Sequence, residues 1–190
     1  MNEIDTTMRN LSHDVRDSCP GGQKLLPAEE ELLSQFEQEI GHRLPPDYRY
    51  FLSRYSGVRL FNAMIHPAVQ DEKLESVEGI HLISFFGFYT LSPQGGKCSS
   101  DLSWNYRVYK DFLPAGVIPI AEFCGDYLFC ISCAPETYGR IFVKVPEEFD
   151  DDDPADFLFP QAPSLLDFLR SLHTLTDEET HAWYKARGGT

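Results

Sequence analysis

The side chains most able to do chemistry are the cysteines. Cys130-Ile131-Ser132-Cys133 forms a C-x-x-C pair, with Cys124 six residues before it. Such a pair serves either thiol–disulfide exchange or metal binding. An exchange pair should open a helix, where the dipole lowers the thiol pKa. This pair instead lies in a β-patterned run, where residues three apart face opposite sides. A structural zinc site needs two further ligands at suitable spacing, and the chain offers no second pair and no H-x(3–5)-H run. Five cysteines are an odd count, which suits reduced thiols better than a disulfide framework. Cys130 and Cys133 therefore read as core or half-buried thiols.

Other chemical motifs fail on spacing. Gly95-Gly96-Lys97 resembles the end of a phosphate-binding loop. The first glycine would then fall at Leu91, and Cys98 stands where Ser or Thr should. No H-E-x-x-H, G-x-S-x-G or G-x-G-x-x-G occurs. The histidines at 13, 42, 66, 81, 173 and 181 are isolated from one another. Residues 147–156 hold seven acids and no base, including Asp150 through Asp153. The calcium-loop pattern breaks at Ala155 and Asp156, so this is a solvated acidic loop. No catalytic residue, metal or cofactor is expected, and the chain does not read as an enzyme.

Charge narrows the partners. Thirty acidic against sixteen basic residues give a net charge of −14 over 190 residues. Such a surface repels phosphate backbones and anionic membranes, and it steers basic partners inward. Hydrophobic residues make up 42%, an ordinary globular share, and the length suits one domain with tails. No window offers 18 apolar residues without charge, so no membrane span is expected. Met1-Asn2-Glu3-Ile4-Asp5 has no basic start and no apolar run, so no secretory signal is expected and the cytoplasm is the expected location.

These residues must be carried by a scaffold. Residues 1–24 are polar, broken at Pro20-Gly21-Gly22, and read as an arm outside the main domain, with room for one short helix. Leu32, Leu33, Phe36 and Ile40 have helical spacing, and Gly41 suits the C-terminal cap. Pro45-Pro46-Asp47 starts a second helix with Tyr48, Phe51, Leu52 and Tyr55 inward, ended by Gly57. Residues 58–78 read as irregular and residues 92–105 as a loop. Strand patterns follow at 80–89, 117–120, 126–133 and 140–145, with a short helix at 105–113. Pro119 favours an edge or a strand end. Ser164 with Asp167 opens a late helix, and Thr176 with Glu179 opens another. Helices, then strands, then helices predict an α+β fold, with a mostly antiparallel sheet flanked by N-terminal and C-terminal helices.

The segment Phe36–Gly57, with its Leu44-Pro45-Pro46-Asp47-Tyr48 turn and Phe51-Leu52 helix, resembles the opening of the SMI1/KNR4 family (SUKH superfamily). Val117-Ile118-Pro119-Ile120-Ala121 followed by Gly125-Asp126 is similar to the family's strand pair. Ser164-Leu165-Leu166-Asp167-Phe168-Leu169 is similar to its closing helix. The likeness covers residues 25–175 as the domain, leaving 176–190 as a C-terminal helix and tail. Ser132 and the run Phe142–Glu148 depart from the family's usual residues.

The resemblance implies a binding module without chemistry of its own. Many bacterial members look like immunity proteins that neutralise a cognate toxin, often a nuclease, inside the cell. A basic toxin domain is the partner expected here, on charge. The alternative is a regulatory or adaptor module with a non-toxin partner, as in cell-wall synthesis or signalling. A redox enzyme using Cys130 and Cys133 is the third reading. Loops should carry the interface. Asp101, Trp104 and Tyr106 in the middle loop, with Glu122 and Asp126 near the Gly-Asp turn, are the candidate binding residues, aromatic anchors beside acids.

Overall fold

The structure is a computed structural model, and it describes residues 2–11, 27–64, 82–92, 100–123, 127–145 and 153–186. Six helices are described: α1 (Glu3–Asn10), α2 (Glu30–Ile40), α3 (Pro46–Tyr55), α4 (Leu102–Tyr109), α5 (Leu165–Ser171) and α6 (Asp177–Ala186). Seven strands are described: β1 (Arg59–Met64), β2 (Leu82–Phe88), β3 (Val117–Phe123), β4 (Tyr127–Ser132), β5 (Ile141–Lys144), β6 (Leu158–Ala162) and β7 (His173–Thr174). The strands form one sheet in the order β6-β5-β4-β3-β2-β1-β7, and every strand pair is antiparallel. The fold is α+β, with helices at both ends of the chain.

Strand alternation divides the core in two. Phe129 and Ile131 of β4, with Ile141 and Val143 of β5, join the main cluster beneath α1, α2, α3 and α5. Leu128, Cys130 and Phe142 point the other way and pack with Leu113 and Val117. Aromatic rings fill the main cluster. Phe88 meets Phe51 at 4.6 Å between centroids, and Phe168 meets Phe129 at 4.8 Å.

The Pro-Pro-Asp turn does more than start a helix. Pro45, at the N-cap of α3, has no side-chain acceptor to offer. Asp47 supplies one, accepting from the Tyr48 N–H at 2.8 Å. Its other oxygen accepts from the Leu165 N–H at 3.2 Å, the first residue of α5. One carboxylate thus serves two helix starts that are 118 residues apart in the chain. Burial raises the Asp47 pKa, and the backbone N–H groups of Tyr48 and Leu165 only partly offset that. Before the turn, buried Glu37 accepts from the Leu44 N–H at 3.0 Å and from Arg43 at 2.8 Å. Gly41 takes a φ of 72°, the left-handed cap expected at the end of α2.

Three expectations change. Residues 59–64, inside the stretch read as irregular, form strand β1. Pro119 lies inside the sheet, in β3, and not at an edge. Strand β2 reaches β3 only at Ala121 and Glu122, and the β3–β4 register shifts between Pro119 and Ala121. No ladder bond from β2 therefore requires the N–H that Pro119 lacks. Helix α1 falls in the stretch read as an outlying arm. Yet Ile4, Met8 and Leu11, spaced for one helical face, are buried in the main cluster. Asn2 caps α1, and Asp5 accepts from the hydroxyls of Tyr50 (2.9 Å) and Tyr55 (2.8 Å) on α3. Arg170 of α5 bridges to Glu3 at 3.2 Å.

Asp47→Ala leaves N–H groups at two helix starts without their acceptor. It should lower stability by about 2–3 kcal/mol in urea unfolding. A loss within error of zero would mean that water replaces the carboxylate at both helices. The Tyr55 and Tyr50 hydroxyls hold the Asp5 carboxyl below the ordinary value of 3.8. That contribution is present above pH 3.8 and is lost as the pH falls through the lowered folded value. The Tm advantage of the wild type over Asp5→Ala should be full at neutral pH and shrink in acid. A difference constant across that range would show that the carboxylate charge has no part in holding α1.

Candidate functional site

The proposed binding residues do not form one surface. Asp101 is fully buried. It is the N-cap of α4, accepting from the Trp104 N–H at 2.9 Å. Its second oxygen accepts from the Ser92 hydroxyl at 3.0 Å and the Ser92 N–H at 3.3 Å. The helix begins at Leu102, three residues before the expected start, because Asp101 caps it. A partner cannot reach this carboxylate, so the expectation of Asp101 as a contact residue is corrected to a structural one. Asp126 lies outside the described residues, as do the Gly95-Gly96-Lys97 run and Asp150–Asp152 of the acidic loop. Asp153 is described, and it caps a 3-10 turn by accepting from the Ala155 N–H at 2.9 Å.

Asp101 belongs to a buried chain of hydrogen bonds. Thr90 and Asp101 form an isolated bridge, with the Leu102 N–H donating to the Thr90 carbonyl at 2.8 Å. The Thr90 hydroxyl meets the Ser56 hydroxyl at 3.0 Å, just past the end of α3. The Leu91 N–H donates to the same Ser56 oxygen at 3.1 Å. Helix α4 is thereby fixed to the end of α3 through side-chain oxygens.

Tyr106 and Trp104 occupy opposite sides of α4. Tyr106 is half-buried and meets Phe36 edge-on, with centroids 6.0 Å apart. Burial raises its hydroxyl pKa, and the nearby carboxylates Glu39 and Asp111 add to the shift. Trp104 is 46% exposed. Arg107, which follows Tyr106, pairs with Glu39 of α2. Glu122 is exposed on β3, and its carboxylate accepts from the buried Tyr89 hydroxyl at 3.5 Å. Burial first, and then Glu122, raise the Tyr89 pKa far above its usual range. Two residues outside the sequence reading complete the exposed row. Val108 and Phe112 follow Trp104 at intervals of four and are 43% and 48% exposed. That spacing is visible in the sequence once the helix start is placed at Asp101.

The thiols are separated as strand geometry requires. Cys130 lies in the smaller cluster and Cys133 in the main one, so the sheet stands between them. Both are free and buried. Burial pushes the Cys133 thiol up to about 12, with Glu37 adding to it. Burial also raises Cys130, against a smaller opposing pull from Lys144. Neither can attack a substrate or a disulfide from these positions. Among the described residues, no group of three His, Cys, Asp or Glu could hold a metal ion. No helix of the described residues is long and apolar enough to cross a membrane.

Comparison with known proteins bears on this scaffold. The chain is similar to the SPbeta prophage-derived uncharacterized protein YokK of Bacillus subtilis (strain 168), 27% identical over 111 residues. That match covers 53% of this chain and 55% of the relative, so the chain spans about half the length of the curated relative it matches. The model of the SMI1 / KNR4 family (SUKH-1) matches residues 27–171. This span runs from just before α2 through α5 and contains the Asp47 turn, the sheet and the Ser164 cap, and the chain belongs to the SMI1/KNR4 family (SUKH-1).

Proposed function

We propose that this chain is a non-catalytic protein-binding module, and that it acts as an immunity protein neutralising a basic, nuclease-type toxin domain in the cytoplasm. The observation that carries the reading is a net charge of −14 on a SMI1/KNR4 scaffold. The family resemblance supplies the immunity role, and the charge supplies the sign of the partner. A nuclease surface that grips phosphates is cationic. An acidic inhibitor is drawn to it and occupies the same charges. The residue type most able to do chemistry fits this reading, because Cys130 and Cys133 are held in separate cores with raised pKa values.

Capture by the tagged chain from its native lysate should recover a basic toxin domain, released in part by high salt. Recovery of a wall-synthesis or signalling protein in its place would favour the regulatory reading. An empty capture from cells producing a candidate toxin would count against immunity. The thiols give a separate check. With Cys19, Cys98 and Cys124 replaced by Ser, iodoacetamide at pH 8 should leave Cys130 and Cys133 unmodified in the native protein. Both should react once denaturant is added. Rapid native labelling of either would reopen a redox function.

A further inference from the structure

Helix α4 has an apolar side that the fold does not use. At 3.6 residues per turn, Leu102, Asn105, Tyr106 and Tyr109 share the side packed on the protein. Trp104 and Val108 lie on the side away from it, and the 3-10 turn after the helix carries the row on to Phe112. Four large apolar residues are exposed among the described residues, and three of them stand in this row. The fourth, Tyr138, uses its hydroxyl to donate to the Leu44 carbonyl at 2.9 Å. Single exposed apolar side chains are ordinary, whereas several gathered on one short segment mark a contact surface. The helix does not need the row for its own stability, since Asp101 caps it and its inner side is packed.

We propose that Trp104, Val108 and Phe112 form a docking ridge that enters an apolar groove with a basic rim on a partner protein. This rests on the reading of the chain as a protein-binding module. Anchors at intervals of four are how a helix fills a groove, and tryptophan is the residue type that most often dominates such contacts. The charge beside the ridge is mixed at close range. Arg107 is paired with Glu39, Lys110 and Asp111 sit next to each other, and Glu122 lies on the neighbouring strand. At longer range the whole chain carries a net charge of −14. It favours a cationic rim and opposes an acidic occupant, including a second copy of this chain.

The test has two stages. In a Trp183→Phe variant, Trp104 is the remaining tryptophan. Acrylamide should quench its fluorescence freely in the isolated protein, and sedimentation should show a monomer. Shielding of Trp104 in the isolated protein, by its own chain or by a second copy, would overturn the ridge. In the second stage, the basic protein captured by the wild type is titrated with Trp104→Ala and Phe112→Ala. Trp104→Ala should weaken binding about tenfold or more with an unchanged melting temperature. Trp104 should also become protected from acrylamide in the complex. Unchanged affinity in both variants would refute the ridge and leave the binding-module reading standing. Failure to capture any basic protein would remove that reading and the ridge with it.

Discussion

Helices α3 and α5 begin at partly buried positions, and a backbone N–H out of water at a helix start must find an acceptor or cost about 1–3 kcal/mol. Asp47 is that acceptor for both. The early Pro-Pro-Asp turn and the late Ser164 helix therefore cannot be positioned independently. Phe51 of α3 packs on Phe88 of the sheet, and Phe88 and Phe129 both meet Phe168 of α5. Shifting either helix start would misplace these rings. Burying a carboxylate is unfavourable in itself, as the raised pKa of Asp47 shows. Its hydrogen bonds to both helix starts explain why it is kept there.

The same solution recurs where the chain turns. Glu37 receives the Leu44 N–H before the Pro-Pro turn, and Asp101 receives the Trp104 N–H at the start of α4. These buried acids are a small part of the thirty in the chain. Less buried acids take up similar tasks: Asp5 receives two tyrosine hydroxyls of α3, Asp153 receives the Ala155 N–H, and Glu179 receives the Thr176 N–H before α6. The buried carboxylates hold turns and helix starts, and the two thiols pack in separate cores.

The fold was legible where local rules agree. The caps at Gly41, Ser164 and Thr176, and the alternation through β4 and β5, each follow from a few neighbouring residues. What stayed hidden depends on distant partners. Strand β1 has a weak pattern of its own and forms between β2 and β7. Pro119 is tolerated inside the sheet because β2 pairs only with the later part of β3. The binding candidates were harder still, because one sequence does not say which side of a helix faces inward. Asp101 and Trp104 are three residues apart, yet one is fully buried and the other nearly half exposed. Placing the cap at Asp101 would have separated them and drawn in Val108 and Phe112.

The packing of α1 against α5 also has a meaning in time. Glu3 and Arg170 are 167 positions apart, and α1 has more contact with α5 than with any other helix. A ribosome releases α1 long before α5, which follows strands β1 to β6. Throughout that interval Ile4, Met8 and Leu11 have no completed groove to enter. The nascent chain must carry an uncovered apolar helix until α5 is made, a period in which a chaperone would find it. Vectorial synthesis therefore makes a helix made early one of the last to find its place.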